Sequence, residues 1–223
     1  MKNLLGFQKG GVHPDDKKAL SKAGAITAVE CPKLVTVPLA QHIGAPAKLI
    51  VKKGDEVLAG QLLAEAGGFV SAPVHSPVSG KIKKTSEVAT SGGYRMPAIE
   101  IINDGNYTWA EGIEPEATHI DFDQSESFLE LIRDAGVVGM GGAAFPTHVK
   151  LSPPEDATID HLIINGAECE PYLTADYRMM LEYPEEIIQG IKAMMMVLGV
   201  DKAILGIEDN KVDAWQAMNE LAP

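Results

Sequence analysis

The sequence predicts a two-part fold, a small all-β unit followed by a parallel α/β unit. Between Cys31 and Ile102, the short β-branched runs LVTVPL, AKLIVKKGD, GKIKKT and PAIEII are separated by Gly, Pro and Ser at the spacing of small β units. After Asp123 the hydrophobic period changes from two to 3.6, which marks the passage from strands to helices. From His161 onward, apolar runs of strand length alternate with helical patterns, the order of a parallel sheet with right-handed crossovers.

Residues 1–30 contain GGVHP at Gly10 to Pro14 and a weakly helical DDKKALSKAG, and read as an extended arm with one short helix. Residues 31–103 form the β domain. Within it, AKLIVKKGDEVLAGQLLAEAG followed by SPVSGKIKK places a strand, a GD turn, a GQ turn and an SG turn in succession over residues 47–84. This order resembles the barrel-sandwich hybrid fold of biotinyl and lipoyl domains. In working carriers of that kind the central hairpin presents a modifiable lysine, whereas GGFVSAPVHSP from Gly67 to Pro77 has none, so the unit is expected to be structural. Residues 104–123 are polar, acidic and aromatic at Tyr107 and Trp109, and are expected to form the linker.

Residues 124–223 carry the α/β pattern. Asp123 is the expected N-cap of a first helix, with Glu126 completing a capping box, and Phe128, Leu129, Ile132 and Ala135 form its apolar stripe up to Gly136. HLIIN, His161 to Asn165, reads as a strand. Pro184 opens a helix with Ile187, Ile188, Ile191, Met194, Met195 and Leu198 on one face before Gly199. AILGI is the next strand, and Asp209 is expected to cap a last helix carrying Val212, Trp215, Met218 and Leu221. The whole reads as a partial Rossmann-like nucleotide-binding domain, in which ligands sit beyond the C-terminal strand ends. Asn165 lies at such an end.

Composition narrows the function. The chain has 223 residues, 45% of them hydrophobic, and its longest apolar stretch, Ala193 to Val200, is far short of the ~20 residues of a membrane span. No direct membrane span is expected, and the N-terminus MKNLLGFQKGG predicts no export signal. A formal charge of −12 disfavours nucleic acid, whose binding draws on clustered Lys and Arg. The two cysteines, Cys31 and Cys169, give neither a disulfide framework nor metal-ligand spacing, and the six histidines show no paired spacing, so no metal site and a reducing compartment are expected. Nothing resembles a nucleophile elbow or an acid–base dyad, as suits a protein whose bound cofactor carries the reaction.

Two motifs carry the chemistry: GMGGAAFPTHVKL from Gly139 to Leu151, and IINGAECEP from Ile163 to Pro171. Gly139, Gly141 and Gly142 allow positive φ and close approach of backbone N–H groups to a phosphate, and Lys150 adds a mobile positive charge. Phe145 offers an aromatic wall, while Asn165, Glu168 and Glu170 offer polar partners to ribose or ring atoms. Pro146 and Pro171 stiffen the two loops. The structural alternatives are a plain turn for the glycines, a core-filling aromatic for Phe145, a solvated acidic loop for Glu168 and Glu170, and a surface histidine for His148.

These two motifs, with GGVHP near the N-terminus and GIEDNK at Gly206 to Lys211, closely resemble the C subunit of the Rnf electron transport complex over essentially the whole chain. They are more distantly similar to the NADH- and FMN-binding flavoprotein subunit of respiratory complex I. The resemblance implies that Gly139, Gly141, Gly142 and Lys150 bind FMN with Asn165, that Phe145 and Glu170 contact NADH, and that Glu168 belongs to the same acidic loop. It further implies electron passage between NAD(H) and ferredoxin-linked carriers, coupled to ion movement by other membrane subunits, at the cytoplasmic face of the membrane. Met140, Ala144 and Ala167 depart from the complex I pattern of arginine, glycine and aspartate, and Cys169 replaces a small residue. The Rnf family's chain extends further, to two cysteine motifs for [4Fe-4S] clusters that do not occur in these residues, so the present chain is expected to be a fragment. As such it is expected to bind FMN weakly or not at all and to complete no catalytic cycle alone.

Three other readings stand beside this one. The segment would serve chiefly to dock membrane partners through the β domain, by Phe69 or His75 of the hairpin; it would be a covalent carrier; or it would bind quinone, as the resemblance to the A subunit of sodium-pumping NADH:quinone reductase suggests.

Overall fold

A computed structural model of the chain describes residues 14–89, 93–113 and 125–222. Packing gathers them into two compact units, one of residues 29–157 and the other of residues 14–28 together with 158–222.

In the first unit, strands β1 (Leu34–Pro38), β3 (Glu56–Val57), β6 (Gly80–Ala89) and β7 (Arg95–Asn103) form an antiparallel sheet in the order β1-β7-β6-β3. Strands β2 (Lys48–Leu49), β4 (Leu62–Glu65) and β5 (Val74–His75) form a second, in the order β2-β4-β5. Alternation drives one set of side chains inward: Val37, Val57, Leu63, Val74, Ile82, Ile99 and Ile101 make one cluster with Val78 and Leu39. Burying each such side chain stabilises by about 1.5–3 kcal/mol. The glycine turns shape the strand ends. Gly54 has φ +96° and its N–H donates to the Ile82 carbonyl at 2.8 Å, while Gly60 has φ +78° and donates to the Ser76 carbonyl at 2.8 Å.

Residues 104–113, expected within the linker, lie on this unit: Ala59 and Trp109 form a bridge, with the Ala59 N–H donating to the Thr108 carbonyl at 2.9 Å. The rest of the expected linker, 114–123, is outside the described residues, and with it Asp123, the expected N-cap of the capping box. Helix α1 (Ser125–Asp134) ends in a Schellman turn. The N–H of Gly136, at φ +71°, donates to Arg133 at 3.0 Å, and that of Val137 to Ile132 at 3.1 Å. The glycine loop and the short helix α2 (Thr147–Lys150) follow.

The second unit contains β8 (Leu162–Asn165) and β9 (Ala203–Gly206), parallel and in register from Leu162 opposite Ala203 to Asn165 opposite Gly206. Helices α3 (Ala175–Glu182), α4 (Pro184–Leu198) and α5 (Val212–Leu221) complete it. Pro184 stands in the first turn of α4, and Gly199 closes that helix in the left-handed region at φ +64°, as the sequence predicts. The start of α5 corrects the expectation. Lys211, not Asp209, is its N-cap, because the Lys211 N–H turns back to the Glu208 carbonyl at 3.0 Å and its side chain is buried. The buried face of α5 accordingly passes through Ala214 and Met218, while Trp215 is half exposed.

Residues 14–28 pack with this second unit. They include a 3-10 turn at Lys18–Leu20, and the Tyr172 N–H donates to the Asp16 carbonyl at 2.8 Å, while Ser21 Oγ donates to the Tyr172 carbonyl at 2.7 Å. Packing thus groups the arm with the α/β elements, and the glycine loop with the β sheets.

Candidate functional site

The glycine loop is a closed turn. Val138 and Pro146 pair as a bridge at its neck, the Gly139 N–H donates to the Phe145 carbonyl at 2.9 Å, and the Ala144 N–H to the Gly141 carbonyl at 3.1 Å. Gly142 and Ala144 take positive φ, +58° and +48°, which a glycine adopts freely and alanine only under constraint. The N–H groups of Met140, Gly141, Gly142 and Ala143 donate to no other group among the described residues, and all four residues are exposed. No heavy atom would lie within 4 Å of a Cβ added at Gly141 or Gly142, so the loop's outer side is open. Lys150 completes the arrangement: its Nζ would stand 3.1 Å from a Cβ at Gly139, which places the ammonium against the loop. Unused backbone donors, absent side chains and one cation form the donor set a phosphate needs. Phe145 is half-buried beside them.

Beyond β8, the exposed Asn165 turns the chain through its own side chain, Oδ1 accepting from the Ala167 N–H at 3.1 Å. Gly166 then passes close to β9, its N–H donating to the Gly206 carbonyl at 2.8 Å. Glu168 points inward and is 5% exposed. Its Oε1 accepts from the Asp176 N–H at 2.7 Å and its Oε2 from Lys211 Nζ at 2.7 Å. The Lys211 ammonium also meets Glu208 Oε2 at 2.6 Å, and that oxygen accepts from the Glu168 N–H at 3.1 Å. Lys18 of the arm donates to the Glu168 carbonyl. Two buried lysines therefore face two carboxylates. Glu170, by contrast, is exposed.

The electrostatics follow from this network. Burial pushes the Glu168 carboxyl up, but the hydrogen bonds from Lys211 and the Asp176 N–H, with the charges of Lys211 and Lys18, outweigh it and hold the group below its ordinary value. Glu208 is lowered by the same balance, with burial opposing Lys211 and the Glu168 N–H. For Lys211, burial pulls down while Glu168 and Glu208 pull up, and the carboxylates prevail. Asp176 is raised, first by burial and then by the charge of Glu168. Near α2, burial lowers His148.

The sequence-predicted residues fall in both units. Gly139, Gly141, Gly142, Phe145 and Lys150 come together in the first, and Asn165, Glu168 and Glu170 in the second. Within its unit, Glu168 has both carboxylate oxygens engaged by its own chain. The sequence reading missed Lys18 and Lys211, since lysine is so seldom fully buried that nothing in DDKKAL or EDNK suggests it. Among the described residues, no group of three or more His, Cys, Asp or Glu is arranged to hold a metal ion, and no helix is long and apolar enough to cross a membrane.

Comparison with known proteins adds two family matches. Residues 7–106 match the RnfC barrel sandwich hybrid domain, and residues 132–222 match the Nuo51 FMN-binding domain. Over 217 residues the chain is 47% identical to the C subunit of the proton-translocating ferredoxin:NAD(+) oxidoreductase complex of Clostridium ljungdahlii, covering 97% of this chain and 47% of that protein. Over 213 residues it is 44% identical to the C subunit of the Na(+)-translocating ferredoxin:NAD(+) oxidoreductase complex of Acetobacterium woodii, covering 96% and 48%. It is 42% identical over 215 residues to the C subunit of the ion-translocating oxidoreductase complex of Rhodobacter capsulatus, covering 94% and 40%. The chain spans about half the length of the curated relatives it matches.

Proposed function

Since this chain belongs to the family of C subunits of ion-translocating oxidoreductase complexes, we propose that it is the FMN- and NADH-binding portion of such a protein. In this reading it passes electrons between NAD(H) and ferredoxin-linked iron–sulfur carriers, and membrane partners couple that transfer to ion movement. The observation that carries the reading is the glycine loop, with four unused N–H groups and the Lys150 ammonium against Gly139.

The N–H groups of residues 140–143 and Lys150 would hold the FMN phosphate, and Phe145 would flank a ring; in the other unit, Asn165 and Glu170 offer carboxamide and carboxylate groups of the kind that meet flavin and nicotinamide. Bound FMN supplies the exchange between hydride and single-electron transfer. The chain's own residues bind and orient: the loop neutralises the phosphate, and Glu168 fixes the acidic loop from inside. We read the parallel pair β8 and β9, with α4 in the crossover between them, as part of a Rossmann-like unit with its ligand at the Asn165 end. Cys31 and Cys169 offer no four-thiolate set, so the [4Fe-4S] carriers are assigned to residues outside these 223. The protein would sit peripherally on the cytoplasmic face, against other members of the complex.

Titration of FMN fluorescence against these 223 residues beside a full-length C subunit tests this. Weak or no quenching is expected of the 223 residues alone and saturable quenching of the full-length protein, lost in Gly142→Val and weakened in Lys150→Met. Unchanged affinity in both variants would overturn the reading. A second role, docking of partners through the hairpin, is favoured by Phe69, a residue 74% exposed between β4 and β5.

A further inference from the structure

The glycine loop does not hold its shape alone. The Ile43 N–H donates to the Ala143 carbonyl at 3.0 Å, and the N–H of that same Ala143–Ala144 peptide donates to Gly141 at 3.1 Å, so this peptide is fixed at both ends. The next peptide on the N-terminal side, Gly142–Ala143, is among those with unused N–H groups. Residues 42–46 are in turn joined to the hairpin. Ala45 N–H donates to the Val70 carbonyl at 3.0 Å, and Ser71 Oγ donates to the Ala45 carbonyl at 2.8 Å while accepting from the Gly67 N–H at 2.8 Å. A Cβ at Gly44, whose φ is +98°, would overlap the Val70 carbonyl oxygen, and one at Gly67 would overlap that of Pro46.

His42 connects the two sides. Its Nε2 accepts from the Ala72 N–H at 3.0 Å, which puts the ring proton on Nδ1, and Nδ1 donates to the Ile43 carbonyl at 2.9 Å. One ring thus holds the hairpin with one nitrogen and Ile43 with the other, while the Ile43 N–H holds Ala143. From this chain of contacts we propose that residues 42–45 are a strap by which the barrel-sandwich domain sets the conformation of the glycine loop, with His42 as its positioning residue. The hairpin that carries a modified lysine in biotinyl and lipoyl carriers here serves as the strap's anchor. The consequence for nucleotide binding rests on the function proposed above.

The test uses the full chain with two readouts: hydrogen exchange of the segment 139–146, and FMN affinity by fluorescence. His42→Ala is expected to speed exchange at Ala144 roughly fivefold to tenfold, the worth of about one hydrogen bond, and to weaken FMN binding by a similar factor. His42→Gln, whose Oε1 can accept from Ala72 in place of Nε2, is expected to restore both. The exchange of β6 and β7 should stay at the wild-type rate in each variant. Unchanged exchange over 139–146 in His42→Ala would overturn the strap. Faster exchange with unchanged FMN affinity would keep the strap and overturn the FMN reading instead. Should His42→Ala fail to fold, Gly44→Ala separates strap from hairpin at the Val70 carbonyl, and the same two readouts apply.

Discussion

Lys211 and Glu168 form an ion pair of 2.7 Å with side chains only 4% and 5% exposed. Such a pair adds little over an apolar replacement, yet removing one partner leaves the other charged and buried. Lys211→Met, which strands Glu168 and Glu208, is therefore expected to cost about 3–5 kcal/mol in urea denaturation. The double variant Lys211→Met with Glu168→Gln is expected to cost less than the sum of the two single changes.

The same network sets a pH dependence. The ordinary carboxyl value is 4.5, and Glu168 and Glu208 lie below it in the folded chain. Their contribution is complete above that value and is lost as the pH falls through their lowered folded values. Lys211 is raised from 10.5, so its contribution is present below that value and is lost as the pH rises beyond it through the raised one. Asp176, being raised, acts in the opposite sense, and Asp176→Asn should stabilise at neutral pH. Thermal melting from pH 7 down to pH 3 is expected to show a loss that Glu168→Gln makes shallower; an equally steep loss would contradict it.

Gly136 ends α1 with φ +71°, and a Cβ there would lie 2.5 Å from the Pro73 carbonyl oxygen. Gly136→Ala is expected to cost about 1–3 kcal/mol, since backbone must move as well as adopt a strained φ. Gly139→Ala is the control. Its Cβ would press on the end of the flexible Lys150 side chain, at 3.1 Å, and meet the Phe145 backbone only at ordinary contact distances of 3.6 and 3.7 Å, so the change in stability should stay below about 1 kcal/mol.

Lys150→Met should weaken FMN binding by about tenfold to a hundredfold, the worth of a charge-assisted hydrogen bond, and should flatten the salt dependence of that binding. Titrations at low and high salt distinguish this from a simple loss of fold.

Phe69→Ala is expected to leave FMN affinity unchanged and, under the docking role proposed above, to reduce recovery of the chain with the other subunits of the complex. Equal recovery of wild type and variant would remove the hairpin tip from the docking surface.

Much of this architecture is legible in the residues. The GD, GQ and SG turns predict the barrel-sandwich strands because their glycines sit where positive φ or a close neighbour excludes a Cβ, as at Gly54, Gly60 and Gly80. Pro184 and Gly199 bound α4 by equally local rules. The start of α5 is not legible, because a buried ammonium, not a capping side chain, decides it. The inward turn of Glu168 is hidden for the same reason: an acidic loop reads as solvated until Lys18 and Lys211 are brought to it from far away in sequence. The role of His42 is equally hidden, since its partner Ala72, and Ala143 to which the adjacent Ile43 N–H donates, are brought to it only through the fold.

The position of Lys18 bears on how the chain acquires its structure during synthesis. The carbonyl it meets, on Glu168, belongs to a residue 150 positions later, so the arm leaves the ribosome with nothing to bind. The pair β6 and β7, adjacent in sequence, can close in the meantime. Joining ends so widely separated is slow compared with closing a hairpin, although the entropy of closure grows only as the logarithm of the loop. Until α5 brings Lys211 into place, an arm with its own lysine uncovered stays open to proteases, and its resistance to cleavage dates the completion of the second unit.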